Sequence, residues 1–458
     1  MTNFSTTPNP YTQNSIASVF LKTALPIVLL TSMNGLLTVV DAIFLGVFVG
    51  ADGLTAVTLM FPISMLLVAV ATMISTGMAS ELGRLLGAGN MDAARQTFAG
   101  AHGLSILTSL IAMALFVLFG WPVVALIANG SSGLGSMGHI FLAISVFTSP
   151  VAFLLAVHSD ALRTEGRVGF MAIAGLLVSL ANMGFNYALI VWFGLGVAGS
   201  AAGTALAQAL ALLVILIFRR LGKARLNLKL TNMRHWRFGW TPMLALGVPR
   251  SLSFIGIALG SAATIAALRL FGAGDQSGTI AAYGVVFRLM TFAFFPLLGM
   301  ALAMQAMVGN NQGAGLWQRS NATLKLALFC SLAYSTAIEI ALVVFRDRVG
   351  GIFVDDPRVV AEVAGILPVY VALYFSFGPM LMISNYFQAI GDVRRSALLA
   401  LSRTYLFAIP LTFALPPLVG ERGIWLAAPV ADLLLIAVTA WMLVIGGQRL
   451  VRGIFKPA

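Results

Sequence analysis

Residues 18–46 read SVFLKTALPIVLLTSMNGLLTVVDAIFLG, an apolar run in which Lys22 and Asp41 are the only charges. A helix of this length, rising about 1.5 Å per residue, crosses a hydrocarbon core of ~30 Å with residues to spare. The run lacks the ten-residue alternation of a membrane barrel strand, so a helix is the expected element. Further runs of the same kind lie near 54–80, 97–127, 138–161, 169–192 and 197–218. After a basic stretch they resume near 240–270, 279–308, 321–345, 360–389, 396–417 and 423–446. The sequence therefore predicts an all-α integral membrane protein with twelve transmembrane helices.

The composition of the 458 residues agrees. Hydrophobic residues make up 59% and charged residues 9%, against the quarter or so that a soluble chain carries. Mean hydropathy is +0.97. The 46 glycines and 31 phenylalanines suit helices that pack closely and face lipid. The single cysteine, Cys330, excludes a disulfide framework, and four scattered histidines do not suggest a metal centre.

A net charge of +12 raises the question of nucleic acid. The main cationic stretch comprises Arg219, Arg220, Lys223, Arg225, Lys229, Arg234 and Arg237, flanked by apolar runs and poor in aromatics on which bases would stack. Positive charge beside spans marks the cytoplasmic side, so topology and anionic lipid account for it better. Arg84/Arg95, Arg163/Arg167, Arg319/Lys325 and Arg394/Arg395 fall on the same face as both ends. Both termini are thus expected to be cytoplasmic.

The two halves resemble each other. Leu25-Pro26 is echoed by Val248-Pro249, Gly87-Ala88-Gly89 by Gly313-Ala314-Gly315, and Gly199 through Gln208 by Gly423 through Asp432, at offsets of 223, 226 and 224 residues. An even number of spans per repeat gives both copies one orientation, with a pseudo-two-fold axis along the membrane normal. The expected organisation is a tail (1–17), an N-terminal six-helix lobe (18–218), a basic cytoplasmic linker (219–239), a C-terminal six-helix lobe (240–446) and a second tail (447–458). Two like bundles suit alternating access, the architecture of a transporter.

Asp41 is the main candidate for chemistry. A charge deep in a span costs ~2.5–3.5 kcal/mol even on insertion scales, so such groups face an interior cavity. A desolvated carboxylate gains by taking up a proton or a cation, which would let it load and release one each cycle. The competing reading is an Asp held structurally between helices. Asn182 and Asn186 share one face of the fifth span, and Thr204 lies one turn into the sixth beside the Gly199/Gly203 step. They supply groups that could hold Asp41 or a partly hydrated cation, or simply link helices. Arg250, Arg288, Glu339 and Asp432 are the other ionisable groups in apolar runs, with structural pairing the simpler reading. Arg288 is expected to seek an acid in the C-terminal half. Met60, Asp41, Asn186, Arg288 and Glu339 form the expected substrate cavity, although methionines such as Met60 more often fill gaps. No phosphate-binding loop, HExxH motif or triad spacing is present, so the chain is not expected to be an enzyme.

Leu25-Pro26 followed by Val40-Asp41-Ala42-Ile43-Phe44-Leu45-Gly46 resembles the first-span signature of the multidrug and toxic compound extrusion (MATE) family. Gly87-Ala88-Gly89, Leu162-Arg163-Thr164-Glu165-Gly166, Ala281-Ala282-Tyr283-Gly284 and Gly423 through Pro429 support it in order and spacing. The resemblance implies antiport of lipophilic, often cationic compounds against H⁺ or Na⁺, with Asp41 as the cation-coupling residue. It extends that role to Asn182 and Thr204, and to the position of Asn186, where members of the DinF-like branch often carry Asp. The acids that NorM-like members use in spans seven and ten have no counterpart here, so the chain is closer to the DinF/MepA-like branch. The resemblance further implies a bacterial inner membrane, a small xenobiotic or organic cation and membrane lipid as partners, and no cofactor beyond the coupling ion. No nucleic acid or obligate protein partner is expected. The alternatives are a flippase for lipid-linked sugars, which would want cations along its cleft, and an intramembrane transferase, which would want clustered polar residues at one interface.

Overall fold

The computed structural model describes residues 9–128, 131–226, 234–272 and 276–445. Residues 1–8 and 447–458 of the two expected tails, and 227–233 of the expected linker, lie outside the described residues. Among the described residues there is no strand. Ten helices are long and apolar enough to cross a membrane, and two bent pairs bring the number to twelve.

The first six spans are Ile16–Phe44, Ala51–Gly87, Met91–Ile127, the pair Ser132–Phe147 and Ser149–Thr164, Val168–Tyr187, and Gly196–Arg220. The second six are Trp240–Phe271, Gln276–Gly313, Trp317–Val344, the pair Pro357–Tyr370 and Tyr374–Ile390, Val393–Leu401 continued by Ser402–Ala408 and Ile409–Ala414, and Arg422–Ile445. Each expected run finds its helix. Several overrun the expected bounds. At 37 residues, Ala51–Gly87 is about 55 Å long and outreaches the hydrocarbon core.

The bends repeat as the duplication requires. Span 4 bends by 49° at Thr148, where Pro150 cannot continue the preceding helix, and span 10 by 55° around Ala372. These positions are 372 − 148 = 224 residues apart. Spans 5 and 11 each widen into a π-helical stretch, Ala188–Trp192 and Ser402–Ala408.

The chain divides into two compact units. The first comprises Met1–Ser251 with Gly309–Gly315, and the second Leu252–Val308 with Leu316–Ala458. Within the first, helices approach at glycine. A Cβ on Gly87 would lie 2.0 Å from the Asn310 carbonyl oxygen, closer than any side chain tolerates. The joint after span 4 organises one end of this unit. Buried Glu165 accepts from Arg219 at 2.7 Å and from the backbone N–H groups of Arg225 and Leu226 at 2.6 and 3.2 Å. It thereby pins the first turn of the linker. Tyr11 is buried with its hydroxyl donating to the Arg163 carbonyl at 2.5 Å, and burial raises the pKa of its phenol. The core of the second unit gathers Tyr283, Val286, Leu297, Val363, Leu367, Tyr374 and Trp425 from spans 8, 10 and 12.

Candidate functional site

Span 1 carries Asp41 one turn short of its end, before the π-helical turn Leu45–Val49. The side chain is half-buried. Against this helix packs span 5, whose Asn182 and Asn186 are buried four residues apart on one face. The Asn186 amide donates to Asp41 Oδ1 at 2.9 Å and to Asn182 Oδ1 at 3.3 Å. Asn182 Nδ2 donates in turn to Thr204 Oγ1 at 2.8 Å, and the Thr204 hydroxyl to the Ser200 carbonyl at 3.1 Å. Side chains from spans 1, 5 and 6 thus form one directed relay that ends on backbone.

The relay leaves one oxygen over. Both N–H bonds of the Asn186 amide are committed, and its Oδ1 is buried without a hydrogen-bond partner among the described residues. The amide's orientation follows from its neighbours, because turned over it would aim that oxygen at the Asp41 carboxylate. An unpaired carbonyl oxygen in a low-dielectric site is costly. Beside a carboxylate it is also a second oxygen for a hard cation, or an acceptor for a protonated carboxyl. Span 6 comes this close because it is glycine at the contact. A Cβ on Gly203 would stand 2.1 Å from Asn186 Oδ1, and one on Gly199 3.1 Å from the Leu189 backbone. Beyond Asp41, Phe44 and Phe48 meet Tyr187 edge-on at 6.5 and 6.3 Å.

The structure brings Asp41, Asn182, Asn186 and Thr204 together, and each of the other expected cavity residues has surroundings of its own. Met60 is fully buried with Val124 and Leu142, against Gly138. Arg288 is exposed and makes no ion pair among the described residues. Glu339 accepts from the Phe375 N–H at 2.7 Å, at the start of the second half of span 10. Asp432, for which no particular partner was expected, pairs with Arg403, at 2.5 Å from Nε and 3.1 Å from Nη2. Arg403 went unnoticed in the sequence, although an opposite charge in the neighbouring span of the same repeat was the available signal. No group of three or more His, Cys, Asp or Glu side chains able to hold a metal occurs among the described residues.

Comparison with known proteins adds the lineage. The family model described as MatE matches residues 26–188 and 249–414. The chain is 24% identical over 436 residues to a protein of Shewanella oneidensis named FAD transporter, covering 92% of each. It is 22% identical over 418 residues to the multidrug export protein MepA of Staphylococcus haemolyticus, covering 90% of each. Among solved structures it is similar to an outward-facing multidrug resistance MATE family transporter of the MOP superfamily. That match has a TM-score of 0.87 and 19% identity over 99% of this chain and 100% of the other. A MATE structure in the straight conformation gives 0.86, again at 19% identity, over 98% and 99%.

Proposed function

This chain belongs to the MatE family, and from that footing we propose that it is a secondary-active exporter in which Asp41 carries the coupling cation. It moves lipophilic, often cationic small molecules outward in exchange for H⁺ or Na⁺, by alternating access of its two lobes. It works in a bacterial inner membrane with both termini in the cytoplasm.

The observation that carries this reading is the Asn186 amide, which donates to Asp41 while its own oxygen stays unpaired. With Asp41 ionised, the carboxylate accepts from Asn186 and offers a counter-charge to a cationic substrate. A proton arriving from outside turns one carboxyl oxygen into a donor. The Asn186 amide then turns over so that Oδ1 accepts, which withdraws its N–H from Asn182 and disturbs the relay to Thr204. A sodium ion would instead sit against the Asp41 carboxylate and the same Oδ1. Either way the counter-charge disappears, a cationic substrate loses its partner and leaves, and the packing of span 5 on span 6 at Gly203 changes with the cation.

The test is ethidium efflux from energised cells, comparing the parent chain with Asp41→Asn at matched expression. The parent exports dye, collapse of the pH and Na⁺ gradients stops it, and Asp41→Asn lowers coupled export at least tenfold. Export that ignores the loss of both gradients would sink the antiport reading. Export unaffected by Asp41→Asn would move the coupling site elsewhere.

A further inference from the structure

The second unit holds a charged cluster that the Asp41 relay does not use. Arg403 in span 11 grips Asp432 of span 12 with two nitrogens, and its guanidinium lies 4.8 Å over the Phe377 ring. The Arg403 side chain remains 26% exposed, whereas that of Asp432 is 6% exposed. Phe377 stacks on Tyr374 with centroids 5.5 Å apart and planes 13° from parallel, and meets Phe294 at 6.1 Å. Tyr374 is buried, close enough to feel both charges, and its hydroxyl has no hydrogen-bond partner among the described residues.

The backbone around the cluster is irregular on two sides. Arg403 sits in the π-helical stretch Ser402–Ala408. Leu373, beside Tyr374, is the one non-glycine residue with positive φ among those described, at 76°. Such strain and such stretches concentrate at functional sites, and an intramembrane charge is a functional candidate by default. The bend of span 10 accounts for the strain at Leu373, but a plain interhelical staple would not need an orphaned phenol beside it.

We propose that the Arg403–Asp432 pair is a carboxylate-exchange site for planar aromatic compounds bearing one carboxylate. The ligand's carboxylate takes the place of the Asp432 carboxylate on the Arg403 fork, whose geometry suits either equally. Its ring lies along Phe377 and Tyr374, and the free Tyr374 hydroxyl donates to it. Displaced from Arg403, Asp432 takes up one proton from water, so one anion and one proton enter together. The cluster stays neutral before and after, as a site in low dielectric requires. A dianionic phosphate would break that balance. The other titratable groups facing the pair are Tyr370 and Tyr374, backed by Tyr283 and Tyr334. Phenols ordinarily ionise near pH ~10 and do not compete for this proton.

Equilibrium binding of radiolabelled naphthoate to the full chain in lipid nanodiscs tests the proposal, with the uncharged naphthamide as ring control and empty nanodiscs subtracted. Between about pH 6 and about pH 8, naphthoate affinity falls by about tenfold per unit while naphthamide affinity stays flat. Asp432→Asn removes the pH dependence and binds naphthoate at neutral pH at least as tightly as the parent does in acid, a gain that misfolding cannot produce. Arg403→Gln loses at least tenfold for naphthoate and keeps naphthamide binding, which also reports a folded site. A pH-independent parent, an unchanged slope in Asp432→Asn, or binding no greater than in empty nanodiscs would overturn the proposal. No gradient enters this measurement, so its failure leaves export through Asp41 untouched.

Discussion

Asp41 is half-buried rather than sealed, and that exposure suits the cation exchange proposed for it. The side chain that meets it is a neutral amide donor, which steadies the carboxylate without cancelling its charge. Asn at position 186 is therefore chemically sensible: a carboxylate there would place like charge against Asp41, whereas the amide can donate or accept as the proton comes and goes. The relay depends on Gly203 for its geometry. Gly203→Ala drives a methyl into Asn186 Oδ1. We expect a loss of about 1–3 kcal/mol from overpacking, read as a lower melting temperature in detergent, together with weakened efflux. Transport and stability both unchanged would show that spans 5 and 6 have slack at this contact.

The spans show how local breaks are put to use at the scale of elements. The left-handed Leu373 lets span 10 turn between Tyr370 and Tyr374, a conformation that costs an L-residue about 1–2 kcal/mol. A β-branched side chain tolerates it least, so Leu373→Val should lower the melting temperature while Leu373→Gly is accepted. The reverse order would mean that the bend is set by packing alone. The joint after span 4 makes a different demand, because Glu165 and Arg219 are almost fully buried, at 0% and 4% side-chain exposure. Glu165→Gln leaves the Arg219 charge without its counter-ion and should cost about 3–5 kcal/mol, measured by thermal unfolding of the purified chain. A loss much below that would mean the contact of Arg219 with the Phe98 ring, 4.8 Å away, is sufficient for that charge.

At the scale of the whole molecule, the proposed role of Asp41 as a single coupling carboxylate would fix the charge balance of the cycle. One proton entering for one monovalent cation leaving moves no net charge, so the membrane potential adds nothing to that exchange. For an uncharged or zwitterionic substrate one net charge moves, worth ~2.3 kcal/mol per 100 mV, or roughly 40-fold in gradient at ~1.4 kcal/mol per tenfold. In vesicles with a clamped potassium diffusion potential, proton-driven ethidium export should therefore ignore the potential and respond to the pH step. Strong acceleration of ethidium export by the potential would require a second cation per cycle.

Much of this was legible in the sequence, because the bilayer imposes its constraint locally. Each backbone polar group in lipid must find its partner within its own segment, so apolar runs of sufficient length had to be helices. Their number, the duplication and the isolated Asp41 followed from counting along the chain. The four-residue spacing of Asn182 and Asn186 likewise placed them on one face. Which groups meet across helices is a different matter, since small residues let helices pack in many registers and the lipid supplies no apolar drive to choose one. Only the tertiary structure linked Asp41 to Asn186, left the Asn186 oxygen unpaired, buried Met60 with Val124 and Leu142, and paired Asp432 with Arg403.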